Sequence, residues 1–146
     1  MKAFTFRLQR VLDLRLSRER EAQRVLASVN RARGRLEDCL RESERCRQQS
    51  SKQLRAGMVG VLSIEELRLQ ASIGQQHARR ARQLVFELAA IHPQIEAAQT
   101  SLAKATAERR GLEYLRDRAR KEWMQDCQRI ERREEAEAAL VGGMAI

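Results

Sequence analysis

The chain has 146 residues and a formal net charge of +9, and 34% of its residues are charged while only 3% are aromatic. Large apolar side chains fill a globular interior, so this composition argues against a compact core. Ala and Leu supply much of the 42% of hydrophobic residues, and both favour helices packed along narrow seams. No window alternates as a β-strand does.

The positive charge is concentrated in the first third of the chain. Residues 1–56 carry 15 Lys/Arg against 7 Asp/Glu, whereas residues 93–146 carry 10 of each. An acidic partner would therefore be attracted mainly to the first third. Of the 29 basic residues 25 are Arg, which pairs with carboxylates in a bidentate manner.

Apolar runs are short throughout the sequence. No segment approaches the roughly 18–20 apolar residues that span a bilayer, and charge interrupts the start too early for a signal peptide. Three cysteines, an odd number, argue against a disulfide framework. These features predict a cytosolic protein.

A seven-residue pattern begins at Leu8. Alternate steps of three and four reach positions that are mostly apolar, flanked by Arg, Glu and Gln. The pattern predicts a coiled-coil helix over about residues 5–55. Its seam positions are Leu8, Val11, Arg15, Arg18, Ala22, Val25, Val29, Ala32, Leu36, Cys39, Ser43, Cys46, Ser50 and Gln53.

Helix boundaries are marked after this stretch. Gly57 and Gly60 offer a C-terminal stop, and Ser63 with Glu66 has the form of a capping box at the start of a second helix. Pro93 predicts a kink or a restart, because proline costs about 3 kcal/mol inside a helix.

The heptad resumes beyond Pro93 and can be traced backwards through it. The stretch over residues 93–138 forms the second predicted arm. Its seam positions, with the backward extension, are Ala81, Leu84, Leu88, Ile91, Ile95, Ala98, Leu102, Ala105, Arg109, Leu112, Arg116, Ala119, Trp123, Asp126 and Ile130.

Similar arm lengths indicate the architecture. We predict an all-α fold, a single coiled-coil domain over residues 1–146 in which arms 5–55 and 93–138 form a long antiparallel two-helix coiled-coil hairpin. Residues 57–92 form one or two short helices at the tip, and residues 139–146 a frayed tail. The alternative is one bent helix over residues 64–138.

Catalytic and metal chemistry find no support in the residue pattern. The two histidines, His77 and His92, lie fifteen apart without clustered cysteines or carboxylates. No phosphate-binding glycine loop or nucleophile elbow occurs. We therefore expect no enzyme, no metal, no cofactor and no small-molecule substrate. Nucleic acid is not expected, because acidic residues interleave with the arginines and no aromatic lies between Phe6 and Phe86.

The hairpin would bring three of the five aromatic residues together at the paired termini. These aromatics either staple the two helix ends or, rimmed by arginine, form a protein-docking surface. The candidate partner-binding residues are Phe4, Phe6, Arg7, Arg10, Arg15, Arg118, Trp123 and Arg129.

Two stretches of the sequence resemble the FliJ family of flagellar export proteins. They are FTFRLQRVLDLR at residues 4–15, followed by EREA at residues 19–22, and LEYLRDRA at residues 112–119. The resemblance covers nearly the whole chain. It implies an antiparallel coiled coil similar to the central stalk of rotary ATPases.

The resemblance also implies a set of partners. These are the hexameric export ATPase and its regulator, the membrane export gate and export chaperones, at the inner face of the cell membrane. The terminal surface would then bind the ATPase. The stretch that corresponds to the family's gate contact offers Ile73, His77, Arg80 and Leu84. The alternative function is a generic basic scaffold or a nucleic-acid-binding rod.

Overall fold

A computed structural model describes residues 3–61 and 63–144, and it contains two helices, α1 over Gln9–Gly57 and α2 over Ile64–Met144. No strand occurs within these residues. The chain divides into two compact units, a first unit of Met1–Ala22 with Leu102–Ile146 and a second unit of Gln23–Ser101. Each unit packs a stretch of α1 against a stretch of α2.

The two stretches run antiparallel in the first unit. Arg15 on α1 contacts Glu108 on α2, and Glu19, one turn later on α1, contacts Thr106, which comes earlier on α2. Residues of increasing number on α1 thus contact residues of decreasing number on α2. The predicted antiparallel pairing is consistent with these contacts.

Small residues bring the helices together in the second unit, where the pairing is also antiparallel. A Cβ atom added to Gly74 would lie 3.9 Å from the Cβ of Ser50, and one added to Gly57 would lie 3.5 Å from Cδ2 of Leu67. Ser50 is buried. At these distances a methyl group at either glycine would make ordinary van der Waals contact with α1 or α2.

The boundary between α1 and α2 follows the residues that predicted it. Gly60 has a φ of 95°, in the left-handed region that glycine adopts without strain. The backbone N–H of Glu66 donates to Oγ of Ser63 over 3.4 Å, which confirms Ser63 as the cap of α2. Glu65 and Glu66 add negative charge to the first turn, where the helix dipole favours it.

Pro93 does not interrupt α2. The short helices expected over residues 57–92 do not occur among the described residues, and one helix of 81 residues begins at Ile64 and includes Pro93. Residues 139–144, expected to fray, also lie within α2. Ile91 and Ile95 flank the proline and are both buried. Each buried isoleucine contributes about 1.5–3 kcal/mol, which offsets the cost of about 3 kcal/mol for an internal proline.

The predicted seam of α2 is confirmed over most of its length. Five seam residues are buried, and the positions that continue the same spacing as far as Trp123 are half-buried. Asp126 and Ile130, the last two predicted positions, are exposed. The buried residues are Ala81, Leu84, Ile91, Ile95 and Ala98.

The predicted seam of α1 is wrong at six of its fourteen positions. Eight positions are buried or half-buried as expected, namely Arg15, Ala22, Val29, Ala32, Leu36, Ser43, Cys46 and Ser50, whereas Leu8, Val11, Arg18, Val25, Cys39 and Gln53 are exposed. For the last five of these, the inward position lies one residue later, at Leu12, Glu19, Leu26, Leu40 and Leu54. Four of these are leucines, which bury more apolar area than valine or cysteine, and this difference decides which stripe faces α2.

Burial predicts where stability resides. Leu84 is 0% exposed, whereas Leu69 on the same helix is 60% exposed. We expect Leu84→Ala to lower the free energy of unfolding by about 2–5 kcal/mol, because it removes buried methyl groups and leaves a cavity. The matched variant Leu69→Ala should change it by less than about 0.5 kcal/mol. Chemical denaturation followed by circular dichroism measures both, and equal losses would contradict the assigned seam.

The last part of α2 should exchange its amide hydrogens fastest among the helical residues. Residues 128–144 are exposed throughout, so only helix propensity and local side-chain pairs hold them. Residues 91–98 carry three buried side chains in two turns. Hydrogen exchange read by mass spectrometry should therefore show low protection over 128–144 and high protection over 91–98. Equal protection of both segments is the contrary result.

Candidate docking surface at the paired termini

A layer of charged residues joins the two helices in the first unit. Glu19 accepts a hydrogen bond from Oγ1 of Thr106 over 2.8 Å and forms an ion pair with Arg109. Arg109 also pairs with Glu113, and Arg15 pairs with Glu108 across the same seam. We call these six residues the charged layer.

Glu19 is the most enclosed member of the charged layer, at 8% exposure. The hydrogen bond from Thr106 is the main cause that lowers the pKa of Glu19 below its ordinary value, and the hydrogen bond from Arg109 is the second. Desolvation opposes the shift. A buried carboxylate is costly unless it is paired. The charged layer is thus stable only while Glu19 stands opposite Thr106 and Arg109.

An aromatic pair lies toward the end of the first unit. The ring centroids of Phe4 and Trp123 are 5.9 Å apart, with ring planes inclined by 54°. This separation and tilt are typical of favourable aromatic contacts. The predicted meeting of these two aromatics is confirmed, and the contact ties the segment before α1 to α2.

A cleft opens beside the aromatic pair. Its volume is about 440 Å³. We call it the terminal cleft, and its lining residues are Phe4, Thr5, Phe6, Gln9, Arg116 and Arg120. Two aromatic rings and two guanidinium groups thus share one concave surface, a combination suited to binding an acidic and apolar segment.

The arginines proposed from the sequence fall into two classes. Arg7 and Arg10 are exposed and have no ion pair among the described residues. Arg15 belongs to the charged layer, while Arg118 pairs with Glu122 at 3.1 Å and Arg129 with Asp126 at 3.0 Å. Arg7 and Arg10 are therefore the two of this set with unsatisfied charge.

The four residues of the candidate gate contact lie in the second unit. Leu84 is fully buried, and Ile73 and His77 are half-buried. Arg80 is exposed and lies 3.7 Å from Glu87. Leu84 therefore packs inside the helix pair, and Arg80 is the most accessible of the four.

In the described part of the chain, no helix has a stretch both long and apolar enough to cross a membrane. No three His, Cys, Asp or Glu residues of residues 3–61 and 63–144 form a group that could hold a metal ion.

A comparison with family models finds the family described as flagellar FliJ protein, matching residues 4–141. The chain belongs to the FliJ family. The match covers nearly the whole chain, including both stretches on which the resemblance rests. A search of the curated proteins and a search of the solved structures each found no match.

FliJ membership makes the chain a protein of flagellar biogenesis and export. The FliJ family is a non-catalytic export component, which fits the expected lack of enzyme activity. It also implies interaction with the flagellar export machinery in general.

Sequence reasoning missed four of the six residues that line the terminal cleft, namely Thr5, Gln9, Arg116 and Arg120. Arg116 was assigned to the seam, and Arg120 was not singled out. Arg116, Arg120 and Trp123 follow one another at spacings of four and three, so they share one face of α2. This spacing could have indicated that Arg116 and Arg120 lie near Trp123. The many other arginines in this stretch of the sequence made the two hard to single out.

The charged layer predicts a specific pH dependence for this FliJ chain. Because the folded pKa of Glu19 is lowered, its contribution is fully present above the ordinary glutamate pKa and is lost as pH falls through the folded pKa. Glu19→Gln should therefore lower the free energy of unfolding at pH 7. The difference from the wild type should shrink as the solution is acidified.

Equilibrium denaturation at a series of pH values measures this difference. Glu131→Gln serves as the control, because Glu131 is exposed on the unpartnered part of α2. It should match the wild type at every pH. A gap between wild type and Glu19→Gln that stays constant down to the lowest pH contradicts the assigned ion pair.

Proposed function

We propose that the chain is a non-enzymatic, stalk-like component of flagellar protein export that docks the hexameric export ATPase through its terminal surface. Contacts with the ATPase regulator, the membrane export gate and export chaperones complete the proposal. The chain would act in the cytoplasm, peripherally associated with the inner face of the cell membrane. Membership in the FliJ family supports the export role.

One observation carries the docking site. Unpaired arginines and partly exposed aromatics occur together in the first unit, at Phe4, Phe6, Arg7 and Arg10. Apolar anchors rimmed by arginine are the usual composition of a binding hot spot. Unpaired charge at such a rim also accelerates encounter with an acidic surface.

Stapling of the helix ends explains only part of this composition. The contact of Phe4 with Trp123 serves that purpose. It does not require Arg10, which lies in the first turn of α1, where the helix dipole disfavours positive charge. A cation kept at this unfavourable position supports a role in binding rather than in folding.

We place the proposed contact with the export gate on the solvent-facing side of Ile73, His77, Arg80 and Leu84. Leu84 would support the contact from inside the helix pair, since it has no exposed surface. Arg80 and the exposed edges of Ile73 and His77 would meet the partner.

The basic residues of mid α1 favour the export role over nucleic-acid binding. Four arginines there pair with carboxylates three or four residues away, at 2.8–3.5 Å. Carboxylates so close to each guanidinium repel phosphate. The pairs are Arg33–Glu37, Arg41–Asp38, Arg45–Glu42 and Arg47–Glu44.

Charge reversal tests the docking site. We expect Arg7→Glu with Arg10→Glu to weaken binding of the export ATPase at least tenfold and to remove any stimulation of ATP hydrolysis. Both arginines lack ion pairs among the described residues, and a glutamate in the first turn suits the helix dipole, so helicity should persist. Titration calorimetry and an ATPase assay measure the two effects.

The matched control is Arg31→Glu with Arg35→Glu. These arginines are also exposed on α1 without ion pairs among the described residues, and the change in net charge is identical. The control should retain binding within about threefold, because its effect acts only through screened long-range charge. Equal losses in both double variants would mean that diffuse charge governs docking.

A further inference from the structure

The terminal cleft combines an apolar floor with free hydrogen-bond donors. Phe4 and Phe6 are both half-buried, so part of each ring faces the solvent. Arg120 is exposed and has no ion pair among the described residues. The volume of the cleft is about 440 Å³.

The other two polar side chains of the cleft already make local hydrogen bonds. Nε2 of Gln9 donates to Oδ1 of Asp13 over 3.0 Å, and Oγ1 of Thr5 donates to the carbonyl of Ala3 over 3.3 Å. The two guanidinium groups are the charged donors of the cleft. The ligand must supply acceptors and negative charge.

Arg116 has one carboxylate partner among the described residues, the adjacent Asp117. Its Nε and Nη2 atoms donate to Oδ1 of Asp117 over 3.3 Å and 3.2 Å, and the two side chains are 37% and 61% exposed. Solvent screens an exposed ion pair of this kind, so it contributes little to stability. A carboxylate entering the cleft would therefore compete with Asp117 for Arg116.

The aromatic geometry argues against a nucleic acid in the cleft. Single-stranded nucleic acids bind through successive bases that stack on several open ring faces. Of the two rings that line the cleft, Phe4 already packs against Trp123 at 5.9 Å, which leaves only Phe6. Aliphatic side chains need only an apolar surface, and the half-buried rings of Phe4 and Phe6 provide one.

We propose that the terminal cleft binds a protein segment that presents a carboxylate side chain next to an aliphatic or aromatic one. Arg116 and Arg120 take the carboxylate, and Phe4 and Phe6 take the apolar side chain. This inference rests on the proposed function in that the terminal surface docks a protein, and it specifies the chemistry of the segment that enters.

Trp123 provides the readout. It is the only tryptophan of the chain, and its ring contacts that of Phe4, which lines the cleft. A tryptophan-free peptide entering the cleft should therefore change the emission of Trp123. The probe is a random dodecapeptide library displayed on phage and selected on the full chain, followed by titration of synthetic versions of the selected peptides.

We expect the selected peptides to be enriched in Asp or Glu beside Leu, Ile or Phe. Arg120→Glu should weaken their binding at least tenfold, and Phe6→Ala should weaken it several-fold. The matched control Arg132→Glu makes the same charge change on the same helix, twelve residues beyond the cleft, and should stay within twofold. Arg116→Glu is read together with its melting temperature, because Arg116 also lies on the seam.

Several results would overturn the inference. They are enrichment of basic or purely apolar peptides, unchanged affinity in Arg120→Glu, and failure to enrich any sequence class. Binding of single-stranded DNA or of anionic phosphatidylglycerol vesicles that is lost in Arg120→Glu while no peptide binds would also overturn it. Each names a different ligand class for the cleft.

The peptide experiment and the ATPase titration fail independently. If acidic and apolar peptides bind but the export ATPase does not, the proposed function falls and the cleft stands. If the ATPase binds through Arg7 and Arg10 but no peptide class is enriched, the cleft falls and the docking function stands.

Discussion

The ion pair of Glu19 with Arg109 and the hydrogen bond from Thr106 constrain everything around them in the first unit. A carboxylate at 8% exposure is tolerated only with its partners in place, so a slip of one residue along the seam would leave both charges buried and unpaired. Purely apolar seams accept such slips more easily, because one aliphatic side chain replaces another at little cost. The charged layer thus specifies the register where the apolar seam is thin.

The register that the charged layer specifies also determines which residues meet at the terminal cleft. Phe4 lies fifteen residues before Glu19, and Trp123 lies fourteen residues after Arg109. Once the charged layer is aligned, the segment before α1, which carries Phe4, lies beside the part of α2 that carries Trp123, and the two rings meet at 5.9 Å. Arg116 and Arg120 lie between Arg109 and Trp123, on the stretch of α2 that faces the segment before α1. The cleft is therefore a consequence of a register set several turns away.

The sequence predicted the parts of this arrangement that depend on local chemistry. The α2 seam was correct as far as Trp123 because its large residues, Leu84, Ile91 and Ile95, recur at one consistent spacing. The α1 seam was wrong at six positions, partly because Val11, Val25 and Cys39 counted as apolar and Glu19 did not. The partner that makes Glu19 an inward residue lies 90 positions later, and no periodicity in α1 reveals it. Pro93 misled for a related reason, since the burial that offsets its cost is a tertiary effect.

The net charge of the chain does not show which arginines are available to a partner, because carboxylates within the chain already pair with some of them. Residues 1–56 hold an excess of eight positive charges, which by composition alone spreads attraction for an acidic partner along the whole of α1. Carboxylates three or four residues away neutralise four arginines in the middle of α1, and Glu108 neutralises Arg15. Arg7 and Arg10 in the first unit keep their full charge, and Arg120 on α2 does so as well. Arg120 lines the terminal cleft with Phe4 and Phe6, and Arg7 and Arg10 follow these rings closely in the chain. The first unit therefore offers unpaired charge together with accessible aromatic surface, the combination that recognition of a protein requires.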